Sequence, residues 1–270
     1  MRIGIAGIGV IGGALSRWLA KHGHDVVEHD PPKKIIGDFT GCDAVFICVP
    51  APTLLASGPI QDLSAVKSAI THIPLRLPIY IRSTVLPGTC DKLALEFERP
   101  IVSVPEFLTA RRADADMEKL GIIAGGLSFT AAAAPLQDIF ADKRILISRN
   151  AEVELAKYMH NVLLALEVLG ANIVKIVADR CGANYSTVAH LAKITGFIDG
   201  SHTQVPGPDR ERGFGGSCFP KDLEAFAAHV SEFGGPASDW LWGAGELNRS
   251  IRKNGQIPDS ALAHPGAPNA

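Results

Sequence analysis

The chain has 270 residues, with 26 Lys+Arg against 28 Asp+Glu for a formal charge of -2, and 47% hydrophobic against 20% charged residues. That gives room for one large or two modest domains, at roughly 100–200 residues each, and apolar material for a sizeable core. The balanced charge argues against a nucleic-acid binder that relies on bulk positive charge. No apolar run reaches the roughly 18–20 residues a membrane span needs. Met1-Arg2 leads directly into a strand-like run, without a signal-peptide plan. The five cysteines, Cys42, Cys48, Cys90, Cys181 and Cys218, are odd in number and share no CxxC spacing. A disulfide scaffold or cysteine-rich zinc site is therefore not expected, and no metal is assigned. The expectation is a soluble, cytoplasmic, mixed α/β protein with neither nucleic acid nor membrane as partner.

In chain order, short β-branched runs occur at residues 3–6, 26–27, 44–49, 79–81 and 101–104, separated by helical patterns or turn signals. That alternation predicts a doubly wound parallel sheet. Further strands are expected at 122–124 and 145–147, flanking a helix around 128–140. One long helical pattern then runs from 151 to about 181, with Leu155, Val162, Leu166 and Leu169 at helical spacing and no proline. A second helix is expected at 185–192, a Gly/Pro/charge-rich loop at 196–216, and helices at 220–233 and 238–253. The Pro-, Ala- and Gly-rich stretch after 255 reads as a flexible tail. The architecture is thus a Rossmann-like doubly wound domain over 1–150, then a mostly α-helical domain over 151–255 built on a long connecting helix, and a tail over 256–270.

Gly7-Ile8-Gly9-Val10-Ile11-Gly12 follows the first strand and leads into a helical pattern, the setting a dinucleotide-binding G-x-G-x-x-G requires. Gly7 permits the tight turn, Gly9 lets a pyrophosphate approach the backbone, and Gly12 lets helix and strand pack closely. The free N–H groups of the helix start bind phosphate oxygens. Asp30 closes the second strand, 18 residues after Gly12. A carboxylate there bonds ribose hydroxyls and repels a 2′-phosphate, which selects NAD over NADP.

Four other segments carry reactive groups. Lys157 and Asn161, four apart on the long helix, share one face. Cys218 lies in the run GFGGSCFPKD at residues 213–222, just ahead of Pro220, which suits the first turn of a helix. A cysteine at such a helix start is expected to favour the thiolate. Asp222 follows four residues later. Ser83-Thr84-Val85 and Pro105-Glu106-Phe107 follow the fourth and fifth strands, where open α/β sheets place their ligands.

Together these motifs resemble the UDP-glucose/GDP-mannose dehydrogenase family. The matches run in order over about residues 1–250. They are the glycine loop; Gly23-His24 with Asp30; Val49-Pro50; Ser83-Thr84-Val85 with Pro87-Gly88-Thr89; Pro105-Glu106-Phe107-Leu108; Glu154-Leu155-Ala156-Lys157-Tyr158 with Asn161; and GFGGSCFPKD. The resemblance implies an NAD-dependent oxidation of a primary alcohol of a nucleotide sugar to a carboxylate, reducing two NAD. It implies that Cys218 attacks the intermediate aldehyde to give a thiohemiacetal and then a thioester. Lys157 and Asn161 would stabilise the oxyanion, while Asp222, Thr84 and Glu106 position water or shuttle protons. Gly7, Gly9, Val10, Ile11, Gly12, Asp30, Val49, Pro50, Ser83 and Thr84 would contact NAD. It also implies a homodimer formed through the long helix.

The sequence departs from the family pattern at substrate-facing segments. Thr109-Ala110-Arg111-Arg112 stands where the family has Glu-Gly, Asn172-Ile173 where it has Asn-Glu, Val10 at the loop aromatic, and an atypical 204–212 precedes GFGGSC. Family members carry a third, C-terminal domain that helps bind the nucleotide of the sugar. The resemblance therefore points to a short member without it. A smaller phosphorylated sugar or nucleoside alcohol is then an admissible substrate, with Arg111, Arg112, Arg210 or Arg212 as phosphate contacts. Two alternatives remain: a two-electron 3-hydroxyacid-type dehydrogenase that dispenses with Cys218, and a non-catalytic NAD-binding relative.

Overall fold

The computed structural model describes residues 1–54, 60–198 and 200–254; the expected tail at 256–270 lies outside them. The chain packs as two compact units, Met1–Lys157 and Tyr158 onward.

In the first unit β1 (Arg2–Ala6), β2 (Asp25–His29), β3 (Ala44–Ile47), β4 (Ile79–Ile81) and β5 (Ile101–Ser103) form one parallel sheet, in the order β2-β1-β3-β4-β5. The register pairs Ile3 with both Val26 and Ala44, Val45 with Ile79, and Ile79 with Ile101. Every residue of β3, β4 and β5 is buried, as expected of a parallel sheet covered on both faces. Alternate side chains divide between two cores. Phe46, Tyr80 and Val102 pack with Leu15, Trp18 and Leu19 of α1 (Val10–Lys21). Val45, Ile47, Ile79, Ile81 and Ile101 pack with Val66 and Ile70 of α2 (Ser64–Thr71) and Leu93 of α3 (Thr89–Glu96). The doubly wound expectation holds. α4 (Ala113–Lys119) lies against α1, tied by Arg17 bonded to Asp114.

The later part of this unit differs from the sequence reading in detail. β6 (Ile122–Ala124) and β7 (Ile145–Ile147) pair with each other in a separate two-stranded parallel sheet. The helix expected around 128–140 is two short ones, α5 (Thr130–Ala133) and α6 (Pro135–Ile139). Pro135 has no N–H to continue the first helix and opens the second instead.

The long helix is α7 (Asn150–Arg180), 31 residues. It corrects the reading of apolar runs. An 18-residue window of α7 has mean hydropathy 1.8, so by length and composition it is long and apolar enough to cross a membrane. Polar residues such as Glu167 and Asn172 interrupt the run, so a search for unbroken apolar stretches passes over it. In this structure 39% of the window is buried inside the protein.

The second unit adds α8 (Tyr185–Ala192), α9 (Phe219–Ser231) and α10 (Pro236–Asn254). Its core joins Val162, Ala165, Leu169 and Ile176 of α7 to Leu223 and Ala227 of α9, Leu241 and Ile251 of α10, and Phe214 from the intervening loop.

Candidate active site

The sheet order reverses between β1 and β3, and the carboxyl ends of these two strands define the crevice where such sheets bind ligands. The glycine loop occupies that point. Gly7 has φ +92, and its N–H bonds the His29 carbonyl. Gly12 packs so closely that an added Cβ would lie 1.9 Å from the Gly7 carbonyl oxygen, while one on Gly9 would meet nothing within 4 Å. Gly9 is the N-cap of α1, so the first amides of the helix have no intrahelical acceptor. One oxygen of Asp30 accepts the Ile8 N–H at 2.8 Å; the carboxylate has a second oxygen to offer a ribose hydroxyl. Beside the loop is a cavity of about 670 Å³ whose lining includes Gly9, Val10, Arg17, Lys33, Arg111 and Arg112. An open approach to Gly9, a helix start and the basic side chains of Lys33, Arg111 and Arg112 fit the anionic pyrophosphate of a dinucleotide, while Arg17 is paired with Asp114, which also lines the cavity.

Val49 and Pro50 follow β3, and Ser83 and Thr84 follow β4. The Ser83 hydroxyl donates to the Val49 carbonyl at 2.6 Å and so braces the two strand ends together. Gln61 donates to the Thr84 carbonyl at 3.3 Å.

Glu106, beyond β5, is 6% exposed and Lys157, on the second turn of α7, 4% exposed. The Lys157 Nζ donates to Glu106 Oε1 at 3.4 Å and lies 5.1 Å from the centre of the Phe107 ring. The other Glu106 oxygen accepts the Leu108 N–H. Two charges are thus desolvated together, an arrangement that holds only while both partners remain.

In the second unit Asn161 and Asp222 are 3% and 1% exposed. Asn161 Nδ2 donates to Asp222 Oδ2 at 2.6 Å, and Lys221 pairs with the other Asp222 oxygen. Cys218 is exposed and is the N-cap residue of α9, with Pro220 in the helix's first turn. The Asp222 N–H bonds the Cys218 carbonyl at 2.8 Å, and the Ser217 hydroxyl lies 3.7 Å from the sulfur.

Residues 33–144 match the NAD binding domain of the UDP-glucose/GDP-mannose dehydrogenase family, and residues 151–250 match its central domain. The chain belongs to this family. The UDP-glucose 6-dehydrogenase of Rickettsia typhi is 32% identical over 208 residues, which are 73% of this chain and 47% of that protein. The chain spans about half the length of that relative. Among solved structures, a UDP-glucose dehydrogenase from the archaeon Pyrobaculum islandicum superimposes with a TM-score of 0.76 at 25% identity, covering 91% of this chain and 68% of that one. The fold is also that of the Mycobacterium tuberculosis 3-hydroxyisobutyrate dehydrogenase, at 19% identity, a TM-score of 0.70 and 97% of both chains.

The family's NAD-binding match begins at residue 33, so the glycine loop and Asp30 rest on the geometry above. The structure brings together the loop with Asp30, Ser83 with Val49, Glu106 with Lys157, and Asn161 with Asp222. Arg111 and Arg112, read from the sequence as contacts for a substrate phosphate, line the cavity beside the glycine loop. Arg212 is paired with Asp179 at 3.1 Å.

The contacts of several residues escaped the sequence reading, which named Glu154 only within the Lys157 motif and Asn172 only as a family position. Arg82, 2% exposed beyond β4, has Nε and Nη1 without partners among the described residues, and Glu106 and Cys48 are its charged or ionisable neighbours. Burial lowers the Arg82 pKa and pushes the Cys48 thiol up to about 12. Glu154 accepts the Gly88 and Cys90 N–H groups at 2.6 and 2.9 Å. Asn172, Asn248 and Arg252 grip the chain ahead of Cys218. A lone buried polar residue in a helix carries no periodic signal, so only the contact across the fold reveals it.

Proposed function

We propose that the chain is an NAD-dependent dehydrogenase. It oxidises the primary alcohol of a nucleotide sugar, or of a related phosphorylated sugar or nucleoside, to a carboxylate. The observation that carries this reading is the near-complete burial of Glu106, Lys157, Asn161 and Asp222. Burying charges is unfavourable unless partners offset the lost hydration, and such groups concentrate where chemistry is done.

NAD, when bound, supplies the hydride acceptor. The alcohol loses a hydride and a proton to become an aldehyde. The Cys218 sulfur adds to the aldehyde carbon, giving a thiohemiacetal. Loss of a second hydride and proton gives a thioester, and water displaces the sulfur to release the carboxylate, so two NAD are reduced per alcohol. Lys157 and Asn161 stabilise negative charge on the reacting oxygen. Glu106, Thr84 and Asp222 position water and carry protons. Lys33, Arg111 and Arg112, lining the cavity beside Gly9, serve the cofactor's pyrophosphate.

A cytoplasmic setting belongs to the same proposal, since all five cysteines are free. So does a homodimer through α7. Small-molecule alcohols are the proposed partners, with no role for nucleic acid or membrane.

The test is NADH formed per mole of limiting substrate, across nucleotide sugars, sugar phosphates and nucleosides. Two NADH per alcohol, abolished in Cys218→Ser, is the expected result. One NADH, indifferent to Cys218→Ser, would replace this reading with a two-electron hydroxyacid-type oxidation. NAD binding without turnover on the whole panel would favour a non-catalytic relative.

A further inference from the structure

The loop ahead of Cys218 is held by its main chain. Asn172, 1% exposed on α7, donates its Nδ2 to the Val168 carbonyl at 2.9 Å, and its Oδ1 accepts the Gly213 N–H at 2.9 Å. Asn248, 3% exposed on α10, grips the next residue twice. Its Oδ1 accepts the Phe214 N–H at 2.8 Å, and its Nδ2 donates to the Phe214 carbonyl at 2.9 Å. Only one orientation of the amide satisfies both bonds. Arg252, one turn further along α10, donates Nη1 to the Arg212 carbonyl at 3.2 Å and Nη2 to Asp209 at 3.1 Å.

The glycines of the loop follow from these grips. Gly213 has φ +71, and an added Cβ would stand 2.4 Å from Asn248 Oδ1. A Cβ on Gly215 would stand 2.8 Å from Arg252 Nη1. The Phe214 ring is buried in the core of this unit. Cys218 is in turn fixed as the N-cap of α9. Only residues 215–217 separate the two anchors.

We propose that Asn172, Asn248 and Arg252 are positioning residues that set where the Cys218 thiol is presented. They act through the main chain at 212–214, not through contact with substrate. The proposal rests on Cys218 being the reacting thiol in the function above, yet its geometry can be tested without turnover.

The experiment uses the full chain in a Cys181→Ser background, which removes the other exposed thiol. Asn248→Leu removes both bonds to Phe214, Asn248→Asp retains the acceptor only, and Asn172→Leu releases Gly213. Three quantities are read: the pH profile of Cys218 alkylation by iodoacetamide, kcat and KM separately, and NAD affinity. The expected result for Asn248→Leu is an altered alkylation profile and about a hundredfold loss of kcat, the scale of effect that a misplacement of about 1 Å produces. NAD affinity should stay within about twofold, under the 1.4 kcal/mol that corresponds to tenfold. Asn248→Asp should fall between the parent and Asn248→Leu.

An unchanged alkylation profile and unchanged kcat in folded Asn248→Leu and Asn172→Leu would overturn the proposal and leave these residues as scaffold. If Asn248→Leu does not fold, Arg252→Leu and Gly215→Ala decide by the same readouts. If Cys218→Ser retains turnover, the proposed reaction fails, while the alkylation profile still decides the positioning role.

Discussion

A Cβ placed on Gly12 would lie 1.9 Å from the Gly7 carbonyl oxygen, and one placed on Gly9 would meet nothing within 4 Å. The two residues share a motif and serve different ends, internal packing in one and ligand approach in the other. Gly12→Ala should therefore destabilise the fold, by roughly 1–3 kcal/mol as in other overpacked sites. Gly9→Ala should leave stability within about 1 kcal/mol, as for surface substitutions, while weakening NAD binding at least about tenfold. Calorimetry and a fluorescence titration with NAD separate the two. Loss of stability in Gly9→Ala with unaltered NAD affinity would contradict the assignment of Gly9 to the cofactor.

At the scale of elements, α3 begins without a side-chain cap of its own; its N-cap is Gly88 at φ +83. Glu154, from α7, supplies the cap by accepting two of its N–H groups. Asn150 in the first turn of α7 extends the stitching, accepting the Ser103 N–H and donating to the Ile101 carbonyl and to Asp91. Burial raises the Glu154 pKa despite the N–H donors that oppose it. The folded state then keeps its proton longer than the unfolded chain. This carboxyl's contribution to stability is full below the ordinary Glu value of about 4.3 and declines as pH rises through the raised folded value. Subtracting the denaturant stability of Glu154→Gln from that of the parent should expose this decline across the acid range. A difference that rises with pH instead would show a depressed carboxyl.

Elements of this kind were only partly legible in the sequence. The strands of the sheet announced themselves because buried parallel strands are unbroken β-branched runs. Lys157 and Asn161 announced themselves by their spacing on one helix. Glu106 and Asp222 were legible from their motifs, but which residue each pairs with was not, because Glu106 lies 51 residues from Lys157 and Asp222 lies 61 residues from Asn161. The split of α5 from α6 was missed by reading through Pro135, and the separate β6–β7 pair because three-residue strands carry no sign of which sheet they join.

At the scale of the whole molecule, α7 leaves Leu155, Met159 and Leu163 exposed at successive turns, with Val174 and Val177 further along. Leu155, Met159 and Leu163 fall on one stripe at i, i+4, i+8 spacing, and Val174 and Val177 continue the same face at about 100° per residue. A second copy of the chain is the proposed cover. Met159→Glu and Leu163→Glu should turn a dimer into a monomer in sedimentation equilibrium, and a parent chain that is monomeric at all concentrations would refute the proposal. The grips on the loop before Cys218 have a different consequence. Asn172 and Asn248 take hold of the main chain at 213 and 214 and, among the described residues, of no side chain at 204–212. Apart from Asp209, whose side chain Arg252 holds, the lettering of residues 204–212 can therefore drift without rerouting the chain that leads to the thiol. Under the proposed function, side-chain changes there would alter the fit of a substrate one residue at a time while the main chain ahead of the proposed nucleophile stays where Asn172 and Asn248 hold it.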